Sequence, residues 1–345
     1  MNSVMTLPTP LIAVVIPCFR VRCKILSVIE NVGLEVGLIV VVDDACPEHT
    51  GALVEREVSD PRVQVVRLTK NQGVGGAVLA GYQRAVECGA TVIVKVDGDG
   101  QMDPTLIPRF VAPILNGEAD YTKGNRFFNL ESLRSMPSVR LIGNAGLSFI
   151  TKLSTGYWKV MDPTNGFTAI HAHVAKLLPA EKLAKRYFFE SDILFRLNTL
   201  QAVVWDIPMD SKYEDEESNL RVRRVLLEFP TLHLNRFVKR IFYNYFLRDF
   251  NAASLHLVLG ISLTLFGAIF GVANWIRYSG EGVFAPTGTV VLATLQLILG
   301  VQFLLSWINF DVNSQPLKPL YKRLGFVGVS ANSDEVRPLA EANSL

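Results

Sequence analysis

The sequence predicts an α/β domain, built on a mostly parallel β-sheet and followed by two membrane-spanning helices. Three observations lead to this fold class. Short apolar segments alternate with helical segments over residues 1–220, as in parallel sheets with helical crossovers. Acidic residues directly follow the apolar segments 38–42 and 92–96. Two long uncharged segments lie near the other end of a chain that is 49% hydrophobic and has a net charge of +2.

The elements of the α/β domain are predicted in order from their apolar, β-branched segments. Each predicted strand is short and ends at proline, glycine or a polar residue, as buried strands of parallel sheets do. Pro17 ends the first strand because it has no backbone N–H to donate. The predicted strands span 11–17, 38–42, 63–68 and 92–96, and the helices between them span 22–32 and about 74–88, the second entered through the glycine-rich segment 70–77.

Asp97 and Asp99, directly after the strand 92–96, are the main candidate site residues. Open α/β sheets bind ligands at the carboxyl ends of their strands, so we expect both carboxylates at a ligand site. Two carboxylates separated by one glycine can hold a hard divalent cation that also contacts nucleotide phosphates, and Gln101 could add a neutral oxygen. The alternative is a turn that only ends the strand, because Asp and Gly are common in turns.

Two further segments are candidates for nucleotide contacts. Asp43 and Asp44 follow the second strand, and one of their carboxylates could accept a hydrogen bond from a base or a ribose. The alternative there is again a turn at the end of a strand. The glycines within 71–77 match neither the dinucleotide-binding spacing nor the P-loop spacing. They therefore predict either close helix packing or a nucleotide contact of another kind.

Residues 252–276 and 283–310 contain no charged residue, and each segment exceeds the roughly 20 residues needed to cross a bilayer. Buried core helices are the alternative, but the short link 277–281 favours a membrane hairpin. Lys and Arg are frequent before the first span and after the second, whereas the link contains only Arg277. Because basic residues stay on the cytoplasmic side, the α/β domain and both termini are predicted to be cytoplasmic. The apolar segment 11–16 is too short for a signal peptide.

The segment 221–250 mixes Arg and Lys with Leu, Phe and Tyr. It predicts amphipathic helices on the membrane surface, held by apolar side chains and anionic lipid. Nucleic-acid binding is the other interpretation of such a segment, and its position directly before a membrane span argues against that partner. The predicted regions are 1–220, a catalytic domain; 221–250, juxtamembrane helices; 251–310, a transmembrane hairpin; and 311–345, a cytoplasmic tail.

In this order, the motifs resemble glycosyltransferase family 2, whose catalytic domain has the GT-A fold. The similarity extends from about residue 11 to residue 220, and it is greatest to the branch that transfers a sugar from a nucleotide to polyprenyl phosphate. The segment 119–126 resembles the family's Gly-x-Arg strand, and 162–167 resembles its Asp-x-Thr-x-Gly-Phe loop. The other motifs are Pro17, Asp43-Asp44, the glycines after Asn71 and Asp97-x-Asp99-x-Gln101.

The resemblance implies roles for individual residues. Arg126, and Arg140 at the start of a helix, match positions that meet phosphate oxygens, although a solvated or ion-paired side chain is the default for any single arginine. An acidic loop over 213–220 could close over bound nucleotide. The implied catalytic residues are Asp97, Asp99, Arg126, Arg140 and Asp162; the metal ligands are Asp97, Asp99 and Gln101; and the donor-binding residues are Pro17, Phe19, Asp44, Asn71, Gly75, Asp97, Glu190 and Asp192.

The implied reaction is a metal-dependent, inverting transfer from a UDP- or GDP-sugar to undecaprenyl or dolichyl phosphate, with Mg²⁺ or Mn²⁺ as cofactor. Two departures from the family pattern are present. Many relatives carry Asn-Glu after Pro17, where this chain has Cys18-Phe19, and the Gln-x-x-Arg-Trp motif of processive synthases is absent. A membrane-anchored nucleotide-sugar-binding protein and a transferase with a non-lipid acceptor are the alternatives. The oligomeric state is left open, a homo-oligomer included.

Overall fold

The computed structural model describes residues 9–128, 138–210 and 222–325. In this part of the chain, seven strands form one mixed sheet with the order β3-β2-β1-β4-β6-β5-β7. The strands are β1 (Ile12–Cys18), β2 (Leu38–Asp43), β3 (Val63–Arg67), β4 (Val92–Lys95), β5 (Tyr121–Asn125), β6 (Thr168–His171) and β7 (Val204–Pro208). The prediction of a mostly parallel α/β sheet is confirmed, and each of the four predicted strands begins and ends within two residues of an observed one.

Helices cover both faces of the sheet. The three longest of the described helices follow the last strand of the sheet. The described helices are α1 (Ile25–Glu30), α2 (Thr50–Glu57), α3 (Val74–Glu87), α4 (Ile107–Leu115), α5 (Ser138–Thr155), α6 (Ala172–Leu177), α7 (Phe189–Leu200), α8 (Val222–Phe242), α9 (Ala252–Glu281), α10 (Thr287–Asn313) and α11 (Leu320–Arg323). One core lies on each face of the sheet, because side chains of the buried central strands alternate between the two faces.

Strand β6 runs antiparallel to both of its neighbours. Its first residue, Thr168, pairs with Lys95 at the end of β4 and with Lys123 of β5. The first residue of β6 therefore lies at the same edge of the sheet as the last residue of β4. This reversal places the loop 162–167 beside Asp97, which follows β4.

Helices α9 and α10 form the predicted hairpin. Both are long and apolar enough to cross a membrane, with mean hydropathies of 2.1 and 2.0 over their most apolar windows. Only 17% and 6% of those windows are buried, whereas the core helices of a soluble protein are mostly buried. The two helices approach closely at small residues: a Cβ at Gly260 would lie 2.9 Å from Leu304, and one at Gly300 would lie 2.3 Å from Thr264.

The carboxyl end of α10 is tied to the catalytic domain by a buried polar cluster, here called the hairpin anchor, made of Trp158, Arg240, Tyr245 and Asp311. The Asp311 carboxylate accepts two hydrogen bonds from the Arg240 guanidinium, at 2.6 and 3.0 Å. It also accepts hydrogen bonds from the Tyr245 hydroxyl at 2.6 Å and the Trp158 indole at 2.8 Å. Asp311 and Arg240 are 2% and 1% exposed. The anchor therefore joins α10, α8 and the segment after α5.

The chain that follows α10 returns to the catalytic domain. The backbone N–H groups of Leu320 and Tyr321 donate to the Asp120 carboxylate at 2.7 and 3.1 Å. The Tyr321 ring stacks on His171, with 3.9 Å between the ring centroids. Both Leu320 and Tyr321 belong to the core on one face of the sheet. At the other end of the hairpin, the Ser254 hydroxyl of α9 donates to the carbonyl oxygen of Tyr245 in the hairpin anchor at 2.5 Å. Both ends of the hairpin are thus attached to the same part of the structure.

Candidate active site

A cavity of about 260 Å³ lies at the carboxyl ends of β1, β2 and β4. Its position agrees with the rule that open α/β sheets bind ligands at the carboxyl ends of their strands. Arg186 and Tyr187, which were not predicted, also line it, and they directly precede α7. The residues predicted from the sequence that line the cavity are Pro17, Phe19, Asp44, Asn71, Asp97 and Asp99.

Asp44 ties the glycine-rich segment to the end of β2. Its two carboxylate oxygens accept hydrogen bonds from the backbone N–H groups of Gln72 at 2.6 Å and Gly73 at 2.8 Å. Gly73 has a φ of +83° and lines the cavity. Gly75 instead packs against the domain, since a Cβ there would lie 2.6 Å from both the carbonyl oxygen of Ala184 and the Phe189 ring. The segment therefore combines close helix packing with a cavity wall.

Asp97 is held by a buried lysine. The Lys95 ammonium lies 2.8 Å from Asp97 Oδ1 and 3.4 Å from Glu190 Oε1. Burial lowers the pKa of Lys95, but the attraction of the two carboxylates outweighs it and leaves the pKa above its usual value. The ammonium therefore stays charged. Glu190, from the first turn of α7, is thus linked to the end of β4 through Lys95.

The acidic residues at the cavity suit a hard cation that has further ligands from a substrate. Asp99 Oδ1 accepts a hydrogen bond from the Gln101 N–H at 3.0 Å, which forms the turn after Asp97. Within residues 9–128, 138–210 and 222–325, no group of three or more His, Cys, Asp or Glu side chains could hold a metal ion by itself. Two carboxylates that share a metal with substrate phosphates are a usual arrangement for Mg²⁺. The oxygen donors present therefore fit a nucleotide-bound divalent cation.

The loop 162–167 is fixed against this site. Arg126 forms a bidentate pair with the buried Asp162, with Nε to Oδ2 at 2.7 Å and Nη2 to Oδ1 at 3.1 Å. The Lys123 ammonium donates to the carbonyl oxygen of Asn165. A Cβ at Gly166 would lie 2.5 Å from Asp97 Oδ2, so the loop backbone touches the Asp97 carboxylate. The structure thus brings Arg126 and Asp162 to the same site as Asp97.

Asp192 is placed differently from Glu190 in the same helix turn. It is fully buried, and its carboxylate pairs with Arg236 of α8 at 2.6 Å and accepts the Ala184 N–H at 2.8 Å. These contacts favour a role in joining α7 to α8. Arg140 falls in α5, but its side chain lies outside the described residues, as does the acidic loop 213–220.

Lys123 and Asp206 are charged residues that lie opposite each other on β5 and β7, beside the loop 162–167; Lys123 is buried and Asp206 is half-buried. Burial lowers the pKa of Lys123 to about 8. Burial also raises the pKa of Asp206 to about 6, and its Oδ1 is buried without a hydrogen-bond partner among the described residues. Lys95, Lys123 and Asp206 were not predicted as site residues. A lysine inside the apolar segment 92–96 was the available signal for Lys95.

Asp206→Asn is expected to stabilise the protein at pH 8 by roughly 1–3 kcal/mol. Because the pKa of Asp206 is raised from 3.8 to about 6, the folded chain binds this proton more tightly than the unfolded chain does. Stability is therefore lost as the pH rises from about 4 through 6. Asn cannot ionise, and its amide oxygen can still accept the Met161 N–H that donates to Asp206 at 2.8 Å.

Thermal unfolding of the wild type and Asp206→Asn at several pH values between 5 and 8 checks this expectation. The difference in unfolding temperature should be largest at pH 8 and should shrink towards pH 5. A difference that is constant with pH, or that grows as the pH falls, would contradict the assignment of an ionised, poorly solvated carboxylate at neutral pH.

Comparison with known proteins relates residues 13–178 to the family model described as glycosyl transferase family 2. A UDP-N-acetylglucosamine–dolichyl-phosphate N-acetylglucosaminyltransferase of Methanococcus voltae is 30% identical over 237 residues, covering 65% of this chain and 94% of the relative. A polyprenol monophosphomannose synthase of Mycolicibacterium smegmatis is 30% identical over 214 residues, covering 59% and 77%. Among solved structures, a glucosyl-3-phosphoglycerate synthase from Mycobacterium tuberculosis in complex with UDP aligns with a TM-score of 0.48 at 17% identity, covering 67% and 80%.

Proposed function

This chain is a glycosyltransferase of family 2, and from that membership we propose that it transfers a sugar from a nucleotide-sugar donor to polyprenyl phosphate at a membrane surface. One observation carries the proposal. The domain whose cavity is lined by Asp97 and Asp99 is attached to the carboxyl end of an apolar hairpin, and the start of that hairpin bonds to the hairpin anchor. The two similar proteins support the acceptor class, because their names specify dolichyl phosphate and polyprenol.

The donor is a UDP- or GDP-sugar whose nucleotide lies in the cavity beside Pro17, Phe19 and Asn71. Asp97 and Asp99, with Gln101, would hold Mg²⁺ or Mn²⁺ there. When bound, such a cation offsets the negative charge that develops on the departing diphosphate.

The acceptor phosphate is positioned by arginine. Arg126 is held by Asp162 and its side chain is 28% exposed, so its guanidinium can present donors to a phosphate oxygen. Arg140, in α5, is assigned the same task because it matches a basic position of the family. A phosphate monoester has a second pKa of about 6 and is already anionic at neutral pH, so no general base is required. Its oxygen forms the new bond to the anomeric carbon as the bond to the diphosphate oxygen breaks, which inverts the configuration.

Helix α8 supports a position at the bilayer surface. Three of its polar side chains face the catalytic domain, where His233 hydrogen-bonds Ser154 at 2.8 Å, while three of its large apolar side chains are exposed. Exposed apolar side chains of this kind are stable when lipid covers them. The side chains facing the domain are His233, Arg236 and Arg240, and the exposed apolar side chains are Leu234, Val238 and Phe242.

We assign both ends of the hairpin and the catalytic domain to one side of the membrane, because Ser254 at the start of α9 bonds to the hairpin anchor, Asp311 near the end of α10 belongs to it, and the segment after α10 contacts the domain. The frequency of Lys and Arg at those ends makes this side the cytoplasmic one. The short link between α9 and α10 then lies on the opposite side. An active site at the membrane surface lies at the level of the acceptor's headgroup phosphate, while the acceptor's lipid tail stays in the bilayer. Holding the phosphate next to the donor in this way favours the transfer reaction.

Membranes containing the protein are expected to transfer radiolabelled sugar from a UDP- or GDP-sugar to added undecaprenyl phosphate. Because the product carries a polyprenyl tail, the label should enter the organic phase on extraction. The measurement is the fraction of extracted label across a panel of nucleotide sugars, with Mg²⁺, Mn²⁺ or EDTA. Label that is transferred but stays in water would indicate a non-lipid acceptor. If no donor gave turnover, the proposed transfer would be wrong, and a nucleotide-sugar-binding protein would be the remaining interpretation.

A further inference from the structure

Lys95 is a buried cation that the proposed transfer does not use. It stands at the end of β4, two residues before Asp97, and is 1% exposed. Lysine is almost never fully buried unless it is paired, because removing its charge from water is costly. A buried lysine whose ammonium lies 2.8 Å from Asp97, a residue of the cavity wall, therefore indicates a specific role for that ammonium.

Three separate parts of the chain meet at this ammonium. Asp97 lies after β4, Glu190 belongs to the first turn of α7, and Gly166 belongs to the loop before β6. The ammonium lies 2.8 Å from Asp97 and 3.4 Å from Glu190, and a Cβ at Gly166 would be 2.6 Å from it. The lysine is therefore enclosed by two carboxylates and one backbone segment.

We propose that Lys95 is a positioning residue that holds the Asp97 carboxylate at the cavity wall for binding of a divalent cation, by separating it from Glu190. The inference rests on the proposed function in one respect, namely that Asp97 binds the cation. Without the ammonium, the carboxylates of Asp97 and Glu190, which are 28% and 15% exposed, would face each other with no cation between them. Their repulsion would move Asp97 away from its position at the wall.

Gly166 lies against the contact between Lys95 and Asp97. A Cβ there would lie 2.5 Å from Asp97 Oδ2 and 2.6 Å from the Lys95 ammonium, closer than real Cβ atoms approach, so at least one of the two groups must shift. Gly166→Ala therefore disturbs the Lys95–Asp97 contact without removing any charge. It offers a test of the same contact by a different route.

Mn²⁺ binding to the purified full chain in detergent, measured by electron paramagnetic resonance with the metal alone, tests the proposal. Lys95→Met should weaken Mn²⁺ binding about tenfold or more, because Asp97 is displaced. The double variant Lys95→Met/Glu190→Gln should recover most of that loss, because Asp97 then faces no second carboxylate. Lys176→Met, an exposed lysine of α6, is the matched control and should bind Mn²⁺ as the wild type does.

The outcomes separate this inference from the proposed function. If the wild type binds Mn²⁺ no better than Asp97→Asn does, the proposed metal site itself fails. If the wild type binds Mn²⁺ through Asp97 and Lys95→Met binds equally well, only the role of Lys95 is overturned. A weakened Lys95→Met that Glu190→Gln does not rescue would show a merely structural lysine, and would also overturn the inference.

Should Lys95→Met fail to fold, Gly166→Ala decides the matter, with its unfolding temperature measured alongside. A folded Gly166→Ala protein with Mn²⁺ affinity reduced about tenfold supports the proposal. A folded Gly166→Ala protein that binds Mn²⁺ as the wild type does overturns it.

Discussion

Replacing Asp99 with Asn is expected to lower the rate of sugar transfer by about a thousandfold, the loss typical when a main stabiliser of developing charge is removed. Asp99 lines the cavity beside Asp97, and the amide that replaces it is a poorer ligand for a hard cation because it carries no charge. Charge on the departing diphosphate would then be left uncompensated. The measurement is the initial rate of transfer in membranes at saturating donor, with Mn²⁺ varied.

Asp103→Asn is the matched control for this prediction. Asp103 lies four residues further along, and its carboxylate accepts the Thr105 N–H at 3.0 Å at the start of the turn Pro104–Leu106. An amide oxygen can accept the same bond, so the rate should change less than about twofold. If Asp99→Asn kept more than a tenth of the wild-type rate, the pair at the end of β4 would not be the metal-binding centre.

Removing the carboxylate of the hairpin anchor is expected to destabilise the protein by about 3–5 kcal/mol, as breaking a buried ion pair does. Asp311→Ala leaves the Arg240 guanidinium buried and uncompensated, and it also deprives Tyr245 and Trp158 of their acceptor. The hairpin should then separate from the catalytic domain at lower temperature. Thermal unfolding and limited proteolysis of the full chain in detergent measure the change.

Glu281→Ala is the control for the anchor. Glu281 also pairs with an arginine, at 3.0 Å from Arg277, but both side chains are at least half exposed, so water screens the interaction. Its loss should leave the unfolding temperature unchanged within error. If Asp311→Ala were no less stable than Glu281→Ala, the anchor would not hold the hairpin to the domain.

Much of the fold was visible in the sequence because buried parallel strands leave a strong local signal. The apolar segments 38–42 and 92–96 predicted strands and their ends, and the rule that ligands bind at strand ends then placed Asp97 and Asp99 at one edge. The two uncharged segments predicted α9 and α10 from length and composition alone. These signals need no knowledge of which strand pairs with which.

The remaining features depend on pairings between distant parts of the chain. Strand β6 lies between β4 and β5 and reverses direction, and no local pattern reports that register. Lys95 contacts both Asp97 and Glu190, and because Glu190 lies far along the chain, the sequence did not show that the two carboxylates meet at this lysine. Asp192 and Glu190 share one helix turn, and only the packing of α8 shows that Asp192 pairs with Arg236. The return of the chain after α10 to Asp120 is equally non-local.

A structure of the full chain with Mn²⁺ and a UDP- or GDP-sugar tests the central claim most directly, since anomalous scattering locates the manganese. The proposed function predicts a manganese peak within ligand distance of Asp97 and Asp99, roughly 2.0–2.3 Å from their oxygens, with the diphosphate completing its coordination. A manganese ion and nucleotide bound away from these two carboxylates would contradict it.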